Sequence, residues 1–428
     1  MTKLIISVIL FIKEHIIFFD FNKKEKRAFI IILISTFFYG FFLGFIRVRD
    51  IIARKAFDAS DFQLSLLIMI FPVMNFLSIW WGKLLENSRN KSKYFILISL
   101  FGRLILIIGF WITTMNQFLL LMFFLFLFHS AFIPARNSLF QSNFSPEKRG
   151  MLFGVTLSLT TLIGMGFSYV SGRILDVNEL YFKYILVGIG IIGFFNTFVL
   201  YFVDIKKKKK KKFNKVKKSI IKVILDPIKR AKYILREKTE FARFEISFIL
   251  YGMGFIMMML AVPIYLVDIM KFNYTMSFLS KAIIGQLGIF ILSPFMGKLH
   301  DRWHPNLYNV FSFGFLIFYP LFLFLSNILH VETVSIIFVL IGFLFFGIAR
   351  AAISIAWNMG SVYFAGDEDA SMYQSIHVTF TGVRGVLAPL LGLAVKKIFS
   401  INGVFILSIL FFIAASVFSY FSYKKYNY

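Results

Sequence analysis

The sequence predicts an all-α integral membrane protein of twelve transmembrane helices, arranged as two pseudosymmetric six-helix bundles. Three observations predict it. Hydrophobic residues make up 59% of the 428 and mean hydropathy is +0.79, outside the range of water-soluble chains. Twelve apolar stretches follow one another, each near the ~20 residues that cross a bilayer as a helix. A short loop also occurs twice: Gly82-Lys83-Leu84-Leu85-Glu86 returns 215 positions later as Gly297-Lys298-Leu299-His300-Asp301-Arg302, each copy between apolar runs. A loop repeated with half the chain between its copies points to internal duplication.

Taken in order, residues 1–27 hold a short apolar stretch, Leu4–Ile12, broken by Lys13, Glu14 and His15. No small-residue cleavage site follows, so a cytoplasmic interfacial segment is expected rather than a signal peptide. Residues 28–203 form the first six-helix bundle, with spans near 28–46, 60–82, 94–112, 117–137, 150–172 and 182–203. Residues 204–240 are the basic cytoplasmic connector. Within it Ile220, Ile221, Ile224, Ile228 and Leu235 recur at near-helical spacing among basic residues, which predicts an amphipathic helix on anionic lipid. Residues 241–428 form the second bundle, with spans near 242–267, 275–297, 307–327, 333–357, 370–396 and 402–423.

The net charge of +26 would suggest nucleic acid in a soluble chain. Here most of it lies in short loops. Of the 47 Lys and Arg, 33 fall on one side of the twelve spans and 10 on the other. The positive-inside rule therefore puts both termini and the connector in the cytoplasm of a cell (inner) membrane, with no nucleic-acid partner. The chain has no cysteine, which excludes disulfides, thiolate metal sites and cysteine nucleophiles. No phosphate loop, metal-ligand cluster or nucleophile–base set occurs, so neither an enzyme nor a cofactor is expected.

The duplication reaches further than the loop. Ala135, Asn137, Glu147 and Met151 return as Ala356, Asn358, Glu368 and Met372, all 221 positions on, and Tyr39-Gly40 returns as Tyr251-Gly252. The repeated Gly-x-x-x-Asp-Arg loop, with Glu86 and Asn87 in place of Asp and Arg in its first copy, resembles the loop between the second and third helices of each half in the major facilitator superfamily. Pro146-Glu147-Lys148-Arg149-Gly150 resembles the acidic-Arg-Gly turn common there before helix 5. The resemblance spans residues 28–423 and identifies no subfamily. It implies alternating access between two bundles, and a latch that closes the inner face, to which Gly82, Glu86, Gly297, Asp301 and Arg302 would belong. It also implies that helices 1, 4, 7 and 10 line the pathway, with 2, 5, 8 and 11 beside them.

Ionisable side chains inside spans are costly, so each needs a cavity or a partner. They are Arg103, His129, Arg350, His377 and Arg384, all cationic or neutral, while Asp50, Glu245 and Asp268 stand toward span ends. Arg103 reads as a brace within its bundle. Arg350 and Arg384 read as counter-charges for a substrate, and His377 or His129 as a proton carrier. His377 reads equally well as a structural hydrogen-bond donor. Tyr39, Tyr251 and Gln286 are further candidates to line the substrate site. In helix 11, Gly382-Val383-Arg384-Gly385 and Pro389 allow close packing and a bend.

The function expected is secondary transport of a small organic anion or metabolite, with a proton or another ion as possible coupling partner. Two alternatives stay open. One is broad-specificity efflux of amphipathic compounds, for which 59 Phe and 16 Met would form an adaptable wall. The other is a transporter-like sensor or scaffold.

Overall fold

The computed structural model describes residues 21–427 apart from 78, 79, 82, 83, 86, 87, 89, 204–219, 330 and 366–369. The side chains of residues 134, 137, 138, 141, 146–151, 220–227, 294, 301, 362, 370–372 and 427 also lie outside the description. The expected interfacial segment falls outside it through Asp20.

The first bundle comprises α1 (Lys23–Ala56), α2 (Asp61–Asn75), α3 (Lys93–Gly102, continued by a tighter 3-10 stretch, Leu104–Trp111), α4 (Met115–His129), α5 (Phe132–Asn143), α6 (Pro146–Val177) and α7 (Phe182–Phe198). Three of these open on reciprocal capping boxes. Asn22 and Glu25, Ser60 and Gln63, and Thr114 and Gln117 exchange side-chain and backbone hydrogen bonds. After the connector helix α8 (Ile220–Glu237) come α9 (Thr239–Ile264, ending in a π-type turn Tyr265–Ile269), α10 (Tyr274–Phe278), α11 (Gly285–Arg302), α12 (Pro305–Leu316), α13 (Phe318–Ile328), α14 (Glu332–Tyr363) and α15 (Ala370–Asn427). The last is two spans, broken at Phe399 and at Ser400, whose φ is 61°.

Among the described residues nine helical segments are long and apolar enough to cross a membrane. The final one holds two spans, and the shorter α2 and α4 supply the others.

Two expectations about span limits change. The first span does not stop at 46 but runs to Ala56, drawing Arg47, Arg49, Asp50 and Arg54 into the helix. Charges mark a span end only when they lack partners, and several of these have partners on the second bundle. The third span breaks at Arg103, and the fourth breaks between His129 and Phe132.

The duplicated Tyr-Gly pair serves matching helix contacts. A Cβ at Gly40 of α1 would sit 2.5 Å from Ile163 of α6, and one at Gly252 of α9 would sit 2.1 Å from Arg384 of α15. Each glycine thus lets its helix meet the fifth span of its own bundle.

The bundles meet along α2 with α15 and along α6 with α10 and α11. Gly382 and Gly385 bear on Phe76 and Pro72 of α2, with hypothetical Cβ distances of 2.7 and 1.9 Å. The expectation of close packing along helix 11 therefore holds at these two glycines.

Candidate functional site

The face at which α1 starts is called here the terminal face, and the face at which it ends the distal face. At the distal face the bundles are joined by charge. Asp50 of α1 pairs with Lys281, in the π-type turn between α10 and α11. Arg54 of α1 grips Asp268 of α9, its Nε donating at 3.0 Å, and lies 3.5 Å from Asp61 of α2. Asp61 in turn pairs with Lys396 of α15. Asp176, at the end of α6, accepts the backbone N–H groups of Tyr274 and Thr275 at 2.7 and 3.0 Å, capping α10 from the other bundle. Lys55 donates to the Phe272 carbonyl at 3.3 Å. Among the described residues, every hydrogen bond and ion pair that joins the bundles lies at this face.

Deeper along the interface the charge is cationic. Arg47 of α1 donates to Thr161 of α6 at 3.3 Å through one nitrogen, while its buried Nη1 has no acceptor among the described residues. It stands within electrostatic reach of Arg350 on α14. The Arg350 guanidinium lies over the Phe255 ring at 5.1 Å and makes no hydrogen bond or ion pair among the described residues. Gln286 of α11 is buried, and its Oε1 has no donor among them.

His129 does not share this interface position. It lies inside the first bundle, its Nδ1 2.8 Å from Arg103 Nη2 and its ring on Phe132 at 5.7 Å. Arg103 is fully buried, stacked on Phe42 at 3.8 Å, and donates to the Gly102 carbonyl freed by the helix break. Arg103 thus lies inside the first bundle, beside the break in α3. Tyr39 packs against Phe132 at 5.4 Å and lines a small hollow with Ser35, Thr36, Arg136 and Asn196.

In the second bundle the structure corrects one inference. Glu245 is not a span-end acid but is buried, its side chain 2% exposed, with its oxygens 3.0 and 3.1 Å from His377 Nδ1. A deep carboxylate therefore exists. The span-end reading failed because α9 already begins at Thr239, more than a turn before it. Arg384 has acceptors of its own, the Phe248 carbonyl and Thr381 Oγ1, the latter at 2.9 Å. Tyr251 is buried and stacks on Phe313 at 4.8 Å. His377, Arg384 and Tyr251 thus gather within the second bundle, and Arg350 and Gln286 stand apart from them.

Of the expected latch residues, Gly82 and Glu86 lie outside the described residues, as does the side chain of Asp301, whose backbone belongs to α11. Arg302 is exposed without an ion pair among the described residues. Among the described residues, a Cβ at Gly297 would meet Ile355 of α14 at 3.9 Å, an ordinary van der Waals contact.

The sequence reading missed Arg47 and the distal ion pairs because it assigned 47–55 to a loop. A signal was present, however: Asp50, Asp61, Asp176 and Asp268 all fall on the same side of the twelve-span order, matched there by Arg54, Lys281 and Lys396.

The helical fold described above is shared with known transporters. Solved structures similar to this one include the nucleoside transporter NupG, with a TM-score of 0.68 at 12% identity over 92% of this chain and 100% of that one. A bacterial homologue of the human drug peptide transporters scores 0.69 at 10% identity, over 94% and 98%. At such identities the likeness is one of fold. Among curated sequences, the proton-coupled antiporter flippase LtaA of Staphylococcus aureus (strain MSSA476) is 25% identical over 352 residues, covering 78% of this chain and 83% of the relative. The family model of the Major Facilitator Superfamily matches residues 28–367, and with that match the twelve-span order has its explanation: the chain belongs to this superfamily of transporters.

Proposed function

We propose that this protein is a secondary transporter working by alternating access, and that its substrate is a small organic anion held between Arg47 and Arg350. The observation that carries the reading is the pair itself. Two guanidinium groups at the bundle interface lie within reach of each other's charge, and neither is neutralised by a described acid. Arginine inside a span costs ~2.5–3.5 kcal/mol on insertion scales, and an anion bridging both would offset that cost twice. Guanidinium grips carboxylate or phosphate through two parallel bonds, and Gln286 and Thr161 add neutral polar groups. The distal ion pairs hold the two bundles together at the distal face, which supports a site closed on that side. By the positive-inside rule the terminal face is cytoplasmic in the cell (inner) membrane, and the basic helix α8 rests on anionic lipid there.

A second reading is export of amphipathic compounds. It draws on the flippase relative and on the apolar wall behind Arg350, where Phe255 stacks on Phe346 at 6.2 Å. A thermal-shift screen of purified protein, organic anions against lipophilic cations, separates the two. Anions should raise the melting temperature of the wild type but not of Arg350→Gln or Arg47→Gln, and each variant should lose at least about tenfold in affinity. If only lipophilic cations or neutral amphiphiles stabilise the wild type, the anion reading is wrong.

A further inference from the structure

We propose, building on the anion reading above, that the substrate is a hydroxylated anion, and that the Gln286 amide of α11 and the Ser158 hydroxyl of α6 select it by pairing with its hydroxyl groups.

Helix geometry brings these residues to the depth of Arg47. A Cβ on Gly172 of α6 would lie 3.2 Å from the Thr275 Cα of α10, so the two bundles touch there, near the distal face. From that contact α6 is followed back toward the terminal face, and α10 and α11 run forward in the same direction. Thr161 stands eleven residues before Gly172, and Gln286 eleven residues after Thr275, a step of ~16 Å along each helix. The π-type turn Leu279–Ile284 alters the second step by less than one turn, so Gln286 and Thr161 stand at about the same depth. Eleven residues are also about three full turns. Thr161 therefore lies on the face of α6 that Gly172 presents to the second bundle, and Ser158, three residues further back, shares it. Arg47 joins them there: its Nη2 donates to Thr161 at 3.3 Å, and a Cβ on Gly164 would lie 3.4 Å from its Nη1.

The orientation of α11 is fixed by its glycines. A Cβ on Gly288 would lie 2.2 Å from the Gly347 backbone, and one on Gly285 would lie 3.2 Å from Phe343, so these two residues face α14. Gln286 lies about 100° and 160° around the helix from them. It is buried without facing α14, and the other long helix packed along α11 is α6. The amide thus faces the first bundle, while Arg350 stands one turn along α14 from Gly347.

The cations and the neutral groups of this region call for different partners. Arg47 Nη1 and the Arg350 guanidinium offer N–H groups and want an anion. Gln286 is 7% exposed, and its amide makes no hydrogen bond among the described residues. The enclosed Ser158 Oγ has no partner among them either. An amide presents an acceptor oxygen beside an N–H donor, and a hydroxyl group can meet either, whichever way the amide is turned. A carboxylate or phosphate oxygen only accepts, and would leave the amide oxygen without a donor. An alkyl chain pairs with neither and leaves buried polar groups unsatisfied, which is costly. The site therefore favours an acid or phosphate ester that carries hydroxyl groups over its plain alkyl counterpart.

Charge-matched pairs test this: glycerate against propionate, gluconate against hexanoate, and glycerol phosphate against propyl phosphate. Each is titrated against the melting temperature of the purified full chain in detergent. The third pair, set against the first two, tells whether the anionic end is phosphate or carboxylate. In the pair that binds, the hydroxylated member should be at least about tenfold tighter, since a site built to pair with a hydroxyl rejects the analogue lacking it. Gln286→Leu keeps the bulk and removes the amide. It should bring the ratio below about threefold, mainly by weakening the hydroxylated member, and Ser158→Ala should lower the ratio in the same sense. Equal binding of both members by the wild type, or an undiminished ratio in Gln286→Leu, overturns the inference and leaves the anion reading standing. Should Gln286→Leu fail to fold, an undiminished ratio in Ser158→Ala overturns it equally. If none of the anions binds, the anion reading falls and this inference falls with it.

Discussion

Asp50 on α1 and Lys281 beside α11 form an ion pair across the interface of the two bundles, with side chains only 7% and 19% exposed. One Asp50 oxygen also accepts the Ile51 backbone N–H at 3.1 Å. The pair thus ties a rigid point of one bundle to the other. To open the distal face, the protein must separate these charges together with Arg54 from Asp268 and Lys396 from Asp61.

Removing one partner should cost more than removing both. Lys281→Ala leaves a buried carboxylate unpaired, a loss of about 3–5 kcal/mol where the other charge stays dry. Thermal unfolding in detergent should show the single variants Lys281→Ala and Asp50→Asn melting well below the double variant. Equal melting of all three would mean that water already reaches the pair.

Arg384 is expected to act on stability before substrate. Its bond to the Phe248 carbonyl ties α15 to α9, its bond to Thr381 stays within α15, and Gly252 leaves the room it occupies. Gly252→Ala drives a methyl group into the guanidinium, and Arg384→Gln removes the tie. Both should lower the melting temperature while changing the affinity for a stabilising anion less than about twofold, below the ~0.5–1.5 kcal/mol of one neutral hydrogen bond. Anion binding lost from Arg384→Gln at unchanged melting temperature would return this residue to the substrate site.

His304 lies in the turn between α11 and α12, outside the spans. Its Nδ1 accepts the Asn306 N–H at 3.2 Å, so the ring hydrogen is on Nε2, 2.8 Å from Glu240. Burial holds the imidazole below its usual 6.5, although Glu240 pulls the other way. A second proton would also displace the Asn306 N–H. The unfolded chain therefore takes up protons more readily, and stability should fall as pH drops below about 6.5. Melting temperatures should decline more steeply in the wild type than in His304→Gln between about pH 7.5 and 5.5, with the variant lower at neutral pH. Parallel curves would remove His304 from the acid response.

The orientation rests on loop charge and can be read by labelling. Tyr233→Cys on α8 and Asn178→Cys after α6, both exposed, should react from opposite sides of the membrane. Reaction of both with an impermeant reagent from outside would mean that the connector is not cytoplasmic.

The all-helical membrane fold and its two related halves were legible in the sequence, because both follow from local rules. A bilayer demands ~20 apolar residues per crossing, and a duplicated chain keeps its spacing, as Tyr39-Gly40 and Tyr251-Gly252 still show. Buried ionisable groups such as Arg103, Arg350 and His377 also stood out, since hydrocarbon makes any charge conspicuous. Whether a charge has a partner is a different kind of fact. Arg47, Asp50 and Arg54 read as a loop because the residues that let them enter α1, Lys281 and Asp268 of the second bundle and Thr161 of α6, lie far along the chain. Glu245 read as a span end until α15 brought His377 beside it, and Arg384 read as free until the same packing supplied the Phe248 carbonyl. Sequence spacing decides which residues share a helix and a face. The pairing of charges depends on distance between helices, and only the packed structure sets that.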